Sequence, residues 1–587
     1  MMMVAMYNLW KHGSGLPMNA FPPENYVTKG LYKYFHHPIY IGAVLTGLGL
    51  AMYFKSPSGF WLVMPLFILM IIAYVTGFEN EIITRVFTGK KHKTFFDLPE
   101  ANHGRVSLKD RLLLYVWIYF PWFIIYELFI FIDAPKDAIN TFAGVDKYIP
   151  YLDFSVIFYI LVYPLALAIP FVIKTNRELK QFVKHLIWGM AVIFSGYLIF
   201  PFIVYHPLPS DESFFSNLVV LGRQTDGVTA AMPSFHVFWA LIFYHYFSKR
   251  FRAAKASLLI IAVFITISCA TTKNHSAADV IAGVFVYYVV TNIDAIYKPI
   301  LLSAEAVSNS WKEWRFGPIR VINHGFYAGF AGVVGFIIMA CFAGEKLWIA
   351  YAIGCAGFIG AALWAQFVEG SPMLLRPYGY YGSVFGIAVT VIIISISGAI
   401  NIWRLLAFAA LAAPAIQCFG RLRCLVQGCC HGKPADGIRG IHFCHPKSRV
   451  NKIAGWKGRN LYPTQLYSIG ANLWIAFLLA RLVSLETPAS FIAGIYLILN
   501  GLSRFVEEYF RGEPQTPYWL NMRVYQWLAI LSIVAGAILT CVPSPSLPVP
   551  DFNWKILLHA ALYGVIITIA YGVDFPDGRV RFSKLTQ

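Results

Sequence analysis

The sequence predicts an all-α, polytopic membrane protein: roughly sixteen transmembrane helices in two helical bundles, with a short N-terminal helical segment before them. Three observations carry that expectation. Hydrophobic residues make up 58% of the 587 and charged residues 13%, where a soluble domain carries about 25% charged. Apolar runs of bilayer length recur along the chain. Aromatic residues reach 17%, and proline and glycine stand inside the apolar runs, as membrane helices tolerate. The formal charge of +18 is spread over the loops between those runs. That suits cytoplasmic loops and anionic lipid headgroups and argues against a nucleic-acid partner, because no single soluble patch gathers the charge. The basic loops at 81–111, 174–184, 248–255 and 312–320 set the orientation. They place "DAPKDAINTFAGVDKYIP", the stretch from Pro207 to Ser234, and "TTKNH" together on the opposite, non-cytoplasmic face.

The chain opens with Met1 to Lys29, which has no apolar core of its own, so the first span is expected to act as the insertion signal. "GLYKYFHHPIYIG" (Gly30 to Gly42) precedes two apolar runs, and "FENEIITRVFTGKKHKTF" (Phe78 to Phe95) follows. These stretches resemble the C-terminal half of isoprenylcysteine and phospholipid methyltransferases. The resemblance implies S-adenosylmethionine bound through His37, Tyr40, Glu79 and Glu81, with Pro38 and Gly42 shaping the turn. Such enzymes carry further spans upstream. The segment 1–110 therefore reads as a truncated remnant or membrane anchor, or as a fragment whose start lies earlier.

The segment 111–305 holds two histidines in apolar surroundings. "AAMPSFHVFWAL" places His236 just after Pro233 and Ser234, at a helix entry where free backbone N–H groups favour an anion. "TTKNHSAADVIAGVF" sets His275 four residues before Asp279, on one face of a helix, where the carboxylate can orient the imidazole. An intramembrane aspartate calls for a partner or a function. "AAMPSFH" and "HSAADVIAG" resemble the second and third signature motifs of the type 2 phosphatidic acid phosphatase superfamily, nearest its inositol-phosphotransferase-like branch, over Tyr151 to Tyr297. The resemblance implies that His275 attacks phosphorus, Asp279 orients it and His236 protonates the leaving oxygen, with Ser234 at the phosphate. Ser268 and Cys269 stand where phosphatases read Ser-Arg, and Phe235 stands where they read Gly. Lys273 and Arg223 are the cations expected to clamp the phosphate instead. These departures weigh against simple phosphatase activity and leave two readings, phosphotransfer between lipids or a decayed site.

The segment 320–587 contains "GRLRCLVQGCCHGKP" (Gly420 to Pro434), "YPTQLYS" (Tyr462 to Ser468), "SRFVEEYFRGEP" (Ser503 to Pro514) and "YQW" (Tyr525 to Trp527). Arginines beside apolar spans mark ion pairs or a phosphate, the plainer reading being snorkelling to the interface. Arg504 and Glu508, four apart, share a helix face. In order and spacing these motifs resemble prolipoprotein diacylglyceryl transferases, from Tyr351 to Thr540. That family moves a diacylglyceryl group from phosphatidylglycerol to a cysteine thiol. The resemblance implies that Arg421 and Arg504 hold the lipid phosphate, with Arg511 near them and Glu508 positioning Arg504 or a headgroup hydroxyl. Gln427, Gly428, Gln465 and Tyr467 are implied to line the pocket. Tyr381 stands where the family carries a histidine, and a phenol is a weaker base at neutral pH. Cys424, Cys429, Cys430 and Cys444 fall within 21 residues. Three readings stay open for them: a zinc site, a disulfide in an oxidising compartment, or free thiols, as in Cys-containing variants of the transferase signature that need no metal.

Taken together, the sequence is expected to encode a multi-pass enzyme of a bacterial inner membrane with its sites on the periplasmic face. It would move a lipid-derived group, diacylglyceryl or phosphoglyceryl in type, from phosphatidylglycerol or a similar anionic phospholipid. The acceptor would be an extracytoplasmic protein thiol, glycan or lipid, and a second, phosphohistidine-type site would accompany the transfer. No metal is assigned, and no cofactor beyond S-adenosylmethionine at the N-terminal segment. The competing class is a non-catalytic lipid-binding scaffold or lipid transporter derived from such enzymes.

Overall fold

The computed structural model describes residues 1–17, 21–87, 92–130, 134–205, 213–368, 378–435, 440–513 and 516–578. Among these, ten helices are long and apolar enough to cross a membrane, and shorter apolar helices at Pro38–Tyr53, Trp348–Leu363, Tyr380–Ile396 and Val524–Thr540 add to them. The sequence reading expected more spans because hydropathy registers an apolar run whether or not it folds as one helix of bilayer length. Phe235–Arg250 shows the converse case: it is a 16-residue helix that ends in Lys249 and Arg250.

The chain forms two compact units. One comprises Lys93–Tyr297; the other joins Met1–His92 to Lys298–Gln587. The N-terminal segment, expected as a separate domain, thus packs with the second half of the chain. A Cβ at Gly77 would meet the Phe505 ring at 2.9 Å. The Gly77 carbonyl accepts from Gln526 Nε2 at 2.9 Å, and Lys433 Nζ lies 3.5 Å from Glu81 Oε2. Loop polarity marks where segments end, but the small side at Gly77 decides what the segment rests on.

The unit 93–297 is built around aromatic packing. Trp122 stacks on Phe238, with centroids 5.7 Å apart, within a buried cluster that includes Phe182, Phe194 and Phe243. Two serine caps start the helices that carry its site. Ser234 Oγ accepts from Val237 N ahead of Phe235–Arg250. Ser276 and Asp279 form a reciprocal capping box at the head of Ala277–Thr291. The two heads touch because Gly283 has no side chain: a Cβ there would lie 2.6 Å from the Ser234 carbonyl oxygen. Ser234 N donates to the Asp279 carbonyl at 3.1 Å.

In the other unit the helix Ala489–Phe510 is central, with 78% of its apolar window buried. Small residues set its crossings, as is usual where lipid removes the hydrophobic drive between helices. A Cβ at Gly494 would meet the Gly536 carbonyl at 2.6 Å, on the helix Val524–Thr540. A Cβ at Gly329 would meet the Gly564 carbonyl at 2.7 Å, which brings His324–Ala343 onto Trp554–Gly572. A small antiparallel sheet orders Glu313–Phe316, Ile319–Ile322 and Val573–Asp574 side by side. Arg320 seals it with a two-pronged pair to Asp574 at 2.8 and 2.6 Å.

Candidate functional site

Two sites emerge, one in each unit. In the unit 93–297 the predicted histidines meet: His236 Nδ1 lies 3.2 Å from His275 Nε2. His275 Nδ1 faces Asp279 Oδ2 at 3.6 Å, so its Nε2 is the nitrogen turned to His236. Asp279 is itself fixed by Ser276 N at 2.8 Å and Thr141 Oγ1 at 3.1 Å. His236 and Asp279 are fully buried and His275 nearly so.

A second carboxylate, not singled out from the sequence, completes the row. Asp226 Oδ2 lies 3.9 Å from His236 Nε2, accepts from Tyr159 OH at 2.5 Å, and its Oδ1 accepts from Tyr126 and Tyr163, each at 3.3 Å. Tyr159 and Tyr163 also reach the two nitrogens of His236, at 3.1 and 2.9 Å. Burial pushes the Asp226 carboxyl above the ordinary aspartate range. The Tyr159 hydroxyl, the nearby His275 and the other two tyrosines offset part of that rise. Asp226 sits in the stretch "LGRQTDG" quoted for Arg223. Its signal was an acid at a helix end, which without coordinates reads as a loop residue.

The predicted phosphate clamp is arranged differently from expectation. Lys273 Nζ donates to the carbonyls of Asp146 and Ile149 at 2.7 and 2.6 Å, so it fastens a loop. Arg223 donates to Asn274 Oδ1 at 3.1 Å and to the Thr272 carbonyl at 2.9 Å, bracing the turn that carries His275. Ser234 is fully buried and caps its helix.

The second site gathers arginines around glutamates. Arg421, on the helix Ile402–Gln427, donates to Glu507 Oε1 at 3.2 Å and to Ser468 Oγ at 2.9 Å. Arg504 pairs with Glu508 at 2.5 Å and with Glu507 at 3.3 Å. Arg511, fully buried, reaches Glu507 at 2.6 Å, Glu508 at 3.3 Å and Glu513 at 3.4 Å. Arg523 Nη1 lies 3.7 Å from Glu508 Oε2. Glu507 is the hub, touched by three guanidiniums, and the sequence reading passed over it for its neighbour Glu508. Four arginines against three glutamates leave one positive charge in the network.

Arg421, Arg504, Arg511 and Gln427 open onto a cavity of about 460 Å³ whose opposite wall is apolar. Arg423, Arg449, Tyr380 and the three clustered cysteines share the wall. Arg423 was not anticipated. It is 8% exposed, stacks on Tyr571 and Tyr378 at 4.7 and 5.4 Å, and leaves Nε and Nη2 without hydrogen-bond partners. A buried guanidinium so placed favours an incoming anion.

Other predicted residues support the wall. Gly428 ends the helix Ile402–Gln427 at φ 68°, where a Cβ would meet Ser448 Oγ at 2.1 Å. Gln465 Nε2 donates to the Cys429 carbonyl at 2.9 Å. Tyr467 packs on Phe510 at 5.8 Å and stays 37% exposed. The Tyr381 hydroxyl donates to the Tyr525 carbonyl at 3.3 Å, a structural bond.

In the N-terminal segment, His37 Nδ1 lies 3.5 Å from Glu79 Oε2, and the His37 and Tyr40 rings are 5.9 Å apart. Glu81 instead faces Lys433. Burial, with His36 alongside, brings the His37 imidazole down to about 4. Glu79 Oε2 is buried without a hydrogen-bond partner, an acceptor suited to a cationic group.

Comparison with known proteins follows the same divisions. Residues 314–542 match the family model for prolipoprotein diacylglyceryl transferase, residues 122–293 that of the PAP2 superfamily, and residues 5–90 that of phospholipid methyltransferase. Three family segments follow one another in this chain. The transferase segment has curated relatives named phosphatidylglycerol–prolipoprotein diacylglyceryl transferase. That of Clostridium tetani is 27% identical over 173 residues, 28% of this chain and 66% of the relative. That of Clostridium perfringens is 26% identical over 183 residues, 30% of this chain and 68% of the relative. That of Phenylobacterium zucineum is 24% identical over 203 residues, 32% and 70%. The chain thus spans close to two thirds of the length of the relatives it matches. The arginine site lies in the transferase segment, and His236, His275, Asp279 and Asp226 lie in the PAP2 segment.

Proposed function

We propose that this chain is a membrane phospholipid-dependent transferase. It draws on phosphatidylglycerol or a similar anionic phospholipid and moves a diacylglyceryl or phosphoglyceryl-type group to an extracytoplasmic acceptor, with its sites on the periplasmic face of a bacterial inner membrane. The observation that carries this reading is the amphipathic cavity whose polar end is the Arg421–Glu507–Arg511–Arg504 network. Its apolar wall suits acyl chains. Its surplus guanidinium charge, with Arg423 added, suits a headgroup phosphate and the charge that gathers on it as glycerol phosphate leaves.

The PAP2 segment supplies the second half of the proposal. His275 attacks phosphorus through Nε2, Asp279 holds the imidazole, and His236 gives a proton to the leaving oxygen. With 3.2 Å between the two imidazoles, an entering phosphoryl group parts them, so substrate binding itself separates nucleophile from acid. At the N-terminal segment the His37–Tyr40–Glu79 cluster suits S-adenosylmethionine, because the half-buried Glu79 carboxylate offers its positive sulfonium a counter-charge.

The test uses the full chain in detergent with phosphatidylglycerol labelled in its headgroup phosphate and membrane extract as acceptor. Label on wild-type protein that disappears in His275→Ala supports the phosphohistidine. Glycerol phosphate release that disappears in Arg504→Ala supports the transferase site. If neither is seen, the chain is a lipid-binding scaffold.

A further inference from the structure

Three thiols at the polar end of the cavity have no part in the proposed transfer. Cys424 lies in the last turn of Ile402–Gln427, and Cys429 and Cys430 follow directly beyond it. Their three sulfurs all lie within 4.8 Å of one another, and all three residues line the cavity. None of them is in a disulfide.

The chain is bent to achieve this. Gly428 at φ 68° and Cys430 at φ 57° are both left-handed. A cysteine rarely adopts that conformation and does so only where its surroundings hold it. Here they do. Cys430 N donates to Glu513 Oε1 at 3.0 Å, Thr464 Oγ1 donates to the Cys430 carbonyl at 2.5 Å, and Gln465 Nε2 donates to the Cys429 carbonyl at 2.9 Å. Three side chains from two other segments fix the loop before any ligand arrives.

We propose that Cys424, Cys429 and Cys430 form a three-thiolate site for one thiophilic d10 metal ion of the zinc class, with its fourth coordination position open to the cavity. Thiolates around zinc sit ~2.3 Å from the ion, hence roughly 3.8 Å from one another, so small side-chain rotations close the triad. Binding a divalent ion releases three thiol protons to solvent and leaves a complex of one negative charge. That charge sits beside the guanidiniums of Arg421, Arg423 and Arg511, which line the same cavity. His431 does not join: its Nδ1 faces the Gly432 carbonyl at 3.1 Å and its ring packs on Trp456. Cys444, grouped with the other three by sequence spacing, is exposed, with its backbone N on Asn309 Oδ1.

The role of the ion rests on the transferase reading. An acceptor thiol taking the fourth position would give up its proton to solvent and be held as thiolate, which Tyr381 is not placed to achieve. Its sulfur then attacks the glyceryl carbon. The S–C bond forms, the C–O bond breaks, and the electron pair leaves with glycerol phosphate onto the arginines.

The experiment measures metal without substrate. The full chain is purified in detergent under reducing conditions, assayed for zinc by elemental analysis, then stripped and titrated with cobalt(II). The expected result is one equivalent per chain with sulfur-to-cobalt charge-transfer absorption, and three fewer alkylated cysteines when zinc is bound. Cys424→Ser, Cys429→Ser and Cys430→Ser each lose the ion, and Cys444→Ser and Cys541→Ser keep it. The alkylation difference is read on wild-type protein, so a variant that fails to fold does not blur the result. Equal alkylation with and without zinc, or a disulfide among the three with no metal taken up after reduction, overturns the site. A chain that holds the ion yet releases no glycerol phosphate overturns the transferase reading and leaves the metal site standing.

Discussion

In the PAP2 segment two imidazoles stand between two carboxylates, Asp226, His236, His275 and Asp279, at successive separations of 3.9, 3.2 and 3.6 Å. In the transferase segment four guanidiniums share three carboxylates, and the hydroxyls of Tyr381 and Tyr380 are tied to a backbone carbonyl and to Asn500. The first arrangement is built from imidazoles and carboxylates, groups that exchange protons, which suits chemistry run on proton transfer. The second is built from guanidiniums, which stay charged, and their carboxylate partners, a set suited to holding an anion. The difference shows where each site needs help: the histidine row needs a phosphate to part it, and the arginine cavity needs a source of nucleophile.

Substitutions can break or sharpen that contrast, and the largest effect is expected at the histidine row. His275→Ala should lower phosphoryl transfer by roughly 10⁴-fold or more, since the nucleophile itself is gone; labelling of the protein by headgroup phosphate checks it. Glu507→Gln should then cost about 3–5 kcal/mol of stability, because three buried guanidiniums lose their shared counter-charge. Thermal unfolding in detergent measures it, and a change below 1 kcal/mol (taken as the scale of an exposed pair) would mean the network is solvated.

Arg504→Ala should reduce glycerol phosphate release by about 10²–10³-fold, the scale of losing one donor to a developing anion, with binding of the intact lipid less affected. Asp226→Asn should reduce phosphoryl transfer about 10²-fold, the low end of a general-acid contribution, and should also change its pH profile. Burial raises the Asp226 carboxyl, so in the wild type its charge is lost, as pH falls, sooner than for an ordinary aspartate. That acid limb should vanish in the variant. The smallest effect is expected for Tyr381→Phe, which removes one hydroxyl bond to a carbonyl worth about 1 kcal/mol and should leave transfer rates within about twofold. A large loss there would return the phenol to the chemistry and erase the contrast.

How much of this was legible beforehand differed between the sites. The histidine row was nearly all visible, because Ser234, His236, His275 and Asp279 stand at helix heads within two short motifs, and local spacing fixes local geometry. Asp226 and Thr141 were not visible, because they reach the row from segments 53 and 138 residues away from Asp279 in sequence. At the arginine site the cations and the Arg504–Glu508 pair were legible, and the shared carboxylate Glu507 was not. Glu508 was chosen for its spacing from Arg504, but Glu507 faces Arg421 across a helix contact that no spacing encodes. Lys273 was read as a clamp from its place beside His275, whereas a left-handed backbone at φ 57° accompanies a side chain bonded to the carbonyls of Asp146 and Ile149.

By itself the sequence determined the solvent this protein lives in, the order of its segments and the chemical types at both sites, because hydropathy, capping and i, i+4 spacing act over a few residues. Tertiary structure alone decided that the first ninety or so residues rest on the second half of the chain. It also decided that Glu507 balances three arginines and that three of four neighbouring cysteines converge while the fourth stays exposed. Those outcomes depend on how closely helices approach, which is set by glycines such as Gly77, Gly283 and Gly494 meeting backbone or rings far away in sequence.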